Sequence, residues 1–134
     1  MAADVKNCHS AMFLARLPEL RAIGAFLEGF CARAALAREG CLRLNLVLEE
    51  LFTNTVRHGH RGDCEAPVWI TLEAAPQAVH LIYEDTAPAF NPLGHRVQMG
   101  KVGGLGVLLT RELSATRDYA YLFGRNRIRL ALPR

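Results

Sequence analysis

The stretch VWITLEAAPQAVHLIYEDTAPAFNP, residues 68–92, decides the fold. Two runs inside it, VWITLEA and AVHLIYED, are rich in β-branched and aromatic residues, and only APQ separates them. A break that short joins neighbouring strands, so the pair predicts an antiparallel hairpin. Beyond Asp85 the pattern stops. From Thr86 to Gly100 no periodicity survives, and prolines and glycines predict a long loop, which inside a compact domain serves a function or moves.

Outward from this hairpin the rest of the architecture follows. TRDYAYLF and NRIRLALP, near the C-terminal end, read as two more strands turning at Gly124. SAMFLARL, residues 10–17, predicts a short first strand, and Pro18 suits the first turn of a helix. Leu20, Ile23, Phe26, Leu27, Phe30 and Ala34 then recur at spacings of three and four, which predicts an amphipathic helix ending near Gly40. A second helix is expected from Cys41 to His58, stopped around Gly59, and a third opens at the glycine cluster GGLGVLLTREL. Strands joined by short turns and interspersed with helices predict an α/β two-layer sandwich: a mostly antiparallel mixed sheet with about three helices on one face.

The chain of 134 residues suits a single domain, residues 1–134, and its 51% hydrophobic content supports a real core. Its net charge of +3 is spread out. Arg125, Arg127 and Arg129 alternate as on one strand face, without the aromatic platforms of a nucleic-acid reader, so no direct nucleic-acid binding is expected. No apolar run reaches membrane-spanning length, and MAADVKNCHS lacks a signal-peptide pattern, so no membrane partner and a cytoplasmic location are expected. The four cysteines are scattered. Cys31 and Cys41 fall within helical patterns, where a free thiol acts as a small hydrophobe, and a reducing compartment is expected.

Four constellations are candidates for chemistry. His58, His60, Asp63 and Cys64 in HGHRGDC are all zinc-binding types, but their spacing matches no familiar zinc pattern, and a polar loop after a helix end explains them. The cluster GKVGGLG, residues 100–106, is neither a P-loop nor a dinucleotide fingerprint; it reads as a glycine turn whose N–H groups could meet an anion, or as a bare loop-to-helix junction. In IYEDTAPAFNP, Asp85 ends a strand, where it either caps the strand or accepts from a ligand amine such as that of adenine. On the second helix Glu50, Asn54 and His58 stand four apart and so share a ridge. An Asn oxygen suits a hard cation, and a Glu one turn earlier could orient or deprotonate a hydroxyl.

In this order the pieces resemble the ATP-binding (Bergerat-type) domain shared by gyrase, histidine kinases, mismatch-repair ATPases and a heat-shock chaperone. The likeness is nearest to the small bacterial anti-sigma factors that are also serine-protein kinases. The family's Glu-x-x-x-Asn-x-x-x-His stands here as EELFTNTVRH, its Asp-x-Gly-x-(Gly/Pro)-Phe-(Asp/Asn)-Pro as DTAPAFNP, and its Gly-Gly-Leu-Gly as residues 103–106. Tyr119 and the Gly124–Asn126 turn also fit. By this resemblance Glu50 is the catalytic carboxylate and Asn54 holds magnesium bridging the ATP phosphates. Asp85 binds the adenine amine beside Ala87, while Gly103, Gly104, Leu105 and Gly106 meet the phosphates under a lid from Asn91 to Val102; charge and position alone suggest Lys101 as a further phosphate contact. Cofactors are then ATP and Mg2+. The implied partners are a sigma factor and/or an anti-sigma factor antagonist phosphorylated on serine, and a homodimer is implied. The alternative is a non-catalytic module gated by ATP or ADP; a third is an interaction domain with a dead pocket. Two residues depart from the motif: Ala87 and Ala89 replace Gly and Gly/Pro, and a positive φ at either would be strained.

Overall fold

The computed structural model describes residues 7–92 and 116–134. Within them the chain forms strand β1 (Cys8–Leu14), helices α1 (Leu20–Ala34) and α2 (Arg38–Asn54), then strands β2 (Pro67–Ala74), β3 (Ala78–Asp85), β4 (Thr116–Leu122) and β5 (Arg125–Pro133). The described strands make one sheet in the order β1-β2-β3-β5-β4, and every pair is antiparallel. The sheet is thus wholly antiparallel in this part rather than mixed. The third expected helix lies outside the described residues.

The strands alternate as a half-buried sheet should. Val68, Ile70 and Leu72 of β2, Val79, Leu81 and Tyr83 of β3, and Ile128, Leu130 and Leu132 of β5 are all buried. They share one core with the buried stripe of α1, Ile23, Leu27, Phe30 and Ala34, and that of α2, Leu44, Val47, Leu48, Leu51 and Phe52. The helices therefore cover one face of the sheet, giving the two-layer sandwich. The other face carries the arginine row. Arg125 lies 3.7 Å over the Trp69 ring and donates to Glu84 at 2.9 Å, and Arg129 pairs with Asp118 at 3.5 Å. Arg125 and Arg129 of the row are thus engaged by their own sheet.

Two helix boundaries differ from the expectation. The first helix ends at Ala34, not near Gly40. Ala35 takes the left-handed conformation (φ 54°) and Leu36 N–H donates to Cys31 O at 3.0 Å, which closes a Schellman-type cap. Gly40 is instead inside α2, where an added Cβ would stand 3.1 Å from the Arg134 backbone. The glycine permits a close approach rather than a stop.

That sharp reversal also corrects the reading of the cysteines. It sets the last turn of α1 beside the first turn of α2, with the Cys31 and Cys41 Cα atoms 6.1 Å apart, and their sulfurs are bonded as a disulfide. They are not free thiols, and the argument from them to a reducing compartment falls. Cys8 and Cys64 are free.

Candidate functional site

The second helix does not run unbroken to His58. Its α-helical part ends at Asn54 and passes into a π-helical turn, Thr55–Gly59, closed by His60 N–H donating to Thr55 O at 2.9 Å. Glu50 and Asn54 share the helical ridge. His58 lies in the π turn beyond the α-helical part and is exposed. Thr55 stands four after Leu51 and seven after Leu48, on the buried stripe of the helix, and is itself buried.

Asp85 is the last residue of β3, on the helix side of the sheet, opposite Val68 on β2 and Asn126 on β5. It is 7% exposed. A carboxylate so placed needs partners, and three groups supply them. Thr55 Oγ1 donates to Oδ2 at 2.7 Å, Asn126 Nδ2 to Oδ1 at 2.9 Å, and Ala87 N–H to Oδ1 at 3.2 Å. Asp85 is more than a strand cap.

Donor counting orders the chain behind it. Thr55 has one hydroxyl proton, and Asp85 takes it. The 2.7 Å contact between Thr55 Oγ1 and the Tyr83 hydroxyl must then have Tyr83 as donor. Burial, first of all, and then the Asp85 charge hold Tyr83 well above the usual tyrosine range, against the opposing Thr55 hydrogen bond, so its proton is retained. The relay runs Tyr83 O–H to Thr55 O–H to Asp85.

The loop after Asp85 is packed against the same elements. Ala87 is buried, and an added Cβ on Gly59 would meet its methyl at 2.6 Å. The larger residue at 87 fills space that a side chain at 59 would otherwise claim. Positive φ among described non-glycine residues occurs only at Ala35, Arg61 and Phe123. Ala87 and Ala89 therefore carry none of the strain that their replacement of glycine suggests.

Glu50 is half-buried one turn before Asn54, and burial, then its neighbour Glu49, push its carboxyl above the ordinary carboxylate range. A carboxylate shifted this way is a stronger base near neutrality. Asn54, also half-buried, is the last residue of the α-helical part. The expected phosphate-side residues, Lys101, Gly103, Gly104, Leu105 and Gly106, and the lid beyond Pro92, lie outside the described residues. In HGHRGDC, Asp63 accepts from Leu17 N–H at 2.9 Å and so ties the loop to the β1–α1 junction.

Thr55, Tyr83 and Asn126 complete the polar cluster around Asp85. The sequence reading assigned none of them a role. A signal was present for each: Tyr83 and Asn126 occupy inward positions of strands whose other inward positions are mostly aliphatic, and Thr55 stands four after Leu51 and seven after Leu48, on the apolar stripe of the second helix.

An antiparallel sheet with helices on one face, and a buried Asp at a strand end linked to the helix that carries Glu-x-x-x-Asn, define a histidine kinase-like ATPase fold. Residues 13–132 match the histidine kinase-like ATPase domain family, and the chain belongs to it. Among curated proteins it is similar to the serine-protein kinase RsbW of Listeria innocua serovar 6a, at 23% identity over 108 residues, covering 72% of this chain and 69% of that protein. The same protein of Listeria monocytogenes serotype 4a is matched at the same identity and coverage. The solved structure of the RsbU and RsbW domains of Rv1364c from Mycobacterium tuberculosis has a TM-score of 0.62 and 16% identity, and the match covers 94% of this chain. The chain spans 32% of that longer one, and the likeness is one of fold.

Proposed function

We propose that this protein is an ATP-dependent serine-protein kinase of the anti-sigma type, acting as one domain in the cytoplasm. It would phosphorylate a small antagonist protein and hold a sigma factor in a partner switch, as a homodimer. The observation that carries the reading is Asp85: a buried carboxylate with three donors already in place and an acceptor position left over. That is the chemistry an exocyclic amine of adenine needs, and it supports ATP as the ligand. The names of the Listeria relatives support the kinase. Among the described residues no helix is long and apolar enough to cross a membrane.

The residues present fit magnesium-ATP at the base end and at the helix. Asn54 would hold the magnesium ion through its amide oxygen, and the ion would supply charge neutralisation on the phosphates. Asp85 orients the nucleotide from the opposite end. Glu50 would accept the proton of the substrate serine hydroxyl, a role that its raised carboxyl pKa suits. Lys101, Gly103, Gly104, Leu105 and Gly106 would meet the phosphates. What these groups contribute is position, since phosphoryl transfer asks little covalent chemistry of the protein.

Labelled ATP with magnesium, purified protein and the cognate antagonist test the reading: phosphate should reach an antagonist serine. Glu50→Ala separates this from a non-catalytic module gated by ATP or ADP. Transfer is expected to vanish while ATP binding persists. If partner capture and release still follow the nucleotide in that variant, and the parent transfers no phosphate, the module reading replaces the kinase.

A further inference from the structure

Asn126 is 6% exposed and sits on β5 where Ile128, Leu130 and Leu132 continue the same inward row. An amide placed there must be fully bonded to be tolerated. Its Nδ2 donates to Asp85 Oδ1 at 2.9 Å, to Ala87 O at 2.9 Å and to Pro88 O at 3.2 Å. Its Oδ1 accepts from Phe90 N–H at 3.0 Å and from the Tyr119 hydroxyl at 2.5 Å. All partners of the nitrogen are acceptors and both partners of the oxygen are donors, so only one orientation of the amide satisfies them. One side chain thus binds the Asp85 carboxylate and three backbone groups of the irregular segment 87–90.

We infer that Asn126 is a positioning residue that sets the base selectivity of the site by holding the Asp85 carboxylate in one rotamer and the 87–90 segment against it. The inference rests on the ATP reading above. A carboxylate offers about four acceptor positions. Asn126 and Ala87 occupy two on Oδ1, and Thr55 occupies one on Oδ2. The remaining position is on Oδ2, and it takes a donor. A base with an exocyclic amine satisfies it, whereas one with a carbonyl there sets lone pair against lone pair. Without Asn126 the Oδ1 side is released. The carboxylate can turn and offer either oxygen, and the segment that frames the base loses three of its ties. Discrimination between amine and carbonyl then weakens, separately from any change in fold stability.

The test is calorimetric titration with ATP and with inosine triphosphate, which carries a carbonyl in place of the amine, on the full chain with magnesium. Wild type should prefer ATP. Asn126→Leu, which keeps the apolar row, should lose about tenfold in ATP affinity, the size of one lost charge-assisted bond, and its ATP-to-inosine-triphosphate ratio should fall toward one. Asp85→Ala combined with Asn126→Leu should discriminate no worse than Asp85→Ala alone, because both act through one carboxylate. A Leu variant with the parent's ratio overturns the inference, whatever its melting temperature. So does a double variant that discriminates worse than Asp85→Ala. Should Asn126→Leu fail to fold, Tyr119→Phe decides by the same ratio: it removes a donor to Asn126, and an unchanged ratio overturns the role. Wild type that binds neither nucleotide removes the ATP reading itself; wild type that prefers ATP beside unchanged variants removes only the role of Asn126.

Discussion

Thr55 holds a single proton among the Tyr83 hydroxyl, the Leu51 carbonyl and Asp85, and the short contact to Asp85 decides where it goes. Thr55→Val keeps the shape and removes that donor. ATP affinity should fall by about ten- to a hundredfold, since a hydrogen bond to a charged group is worth roughly 1.5–3 kcal/mol, and titration calorimetry reads it. Glu50 makes a pH prediction. Its carboxyl is raised in the fold, so the folded state binds the proton more tightly than the unfolded chain does. The ionised form therefore costs stability above the folded pKa, and the cost disappears as pH falls. Glu50→Gln should melt above the parent at neutral pH, with the gap closing toward about pH 4, near the ordinary carboxylate value. Thermal melts across that range check it. Phosphotransfer by the same variant should be lost.

At the scale of elements, the reversal between the two helices and the π turn after α2 shape the site. Ala35 occupies a left-handed position that glycine fills without steric cost. Ala35→Gly should stabilise the fold by about 1 kcal/mol, measured by denaturant titration with an unchanged slope. Gly59→Ala should do the opposite, because its Cβ would meet the Ala87 methyl at 2.6 Å. Overpacking of this kind costs about 1–3 kcal/mol. The displaced segment is the one beside Asp85, so nucleotide affinity should fall as well. Ala87→Gly in the same chain should recover part of both losses. The strands and the existence of the helices were legible in the sequence because burial repeats with period two in the former and at spacings of three and four in the latter. The helix ends were not. Gly40 resembles a stop, yet it lies inside α2, and the glycine serves the Arg134 backbone that passes against it, a contact made over a long sequence separation.

At the scale of the molecule, the antiparallel sheet brings Asp85 at the end of β3 beside Asn126 of β5, and α2 lays Thr55 over both. Ligand binding to this arrangement stabilises only the folded state. Magnesium-ATP at about a hundred times its dissociation constant should add about 2.7 kcal/mol and raise the melting temperature by several degrees. Asn54→Ala should remove the magnesium-dependent part of that rise, and a full rise in the variant would exclude Asn54 as the metal ligand. The sequence by itself determined the strand pattern, the helix ridge of Glu50 and Asn54, and the strand-end carboxylate of Asp85. These are local: periodicity places them whatever the rest of the chain does. Tertiary structure alone decided that Cys31 and Cys41 meet and that Thr55 and Asn126 converge on one carboxylate. The first depends on a backbone departure, a left-handed cap, and the second on elements distant in sequence. Residue types and spacing carry no record of such departures, because the energy that selects them comes from packing across the core.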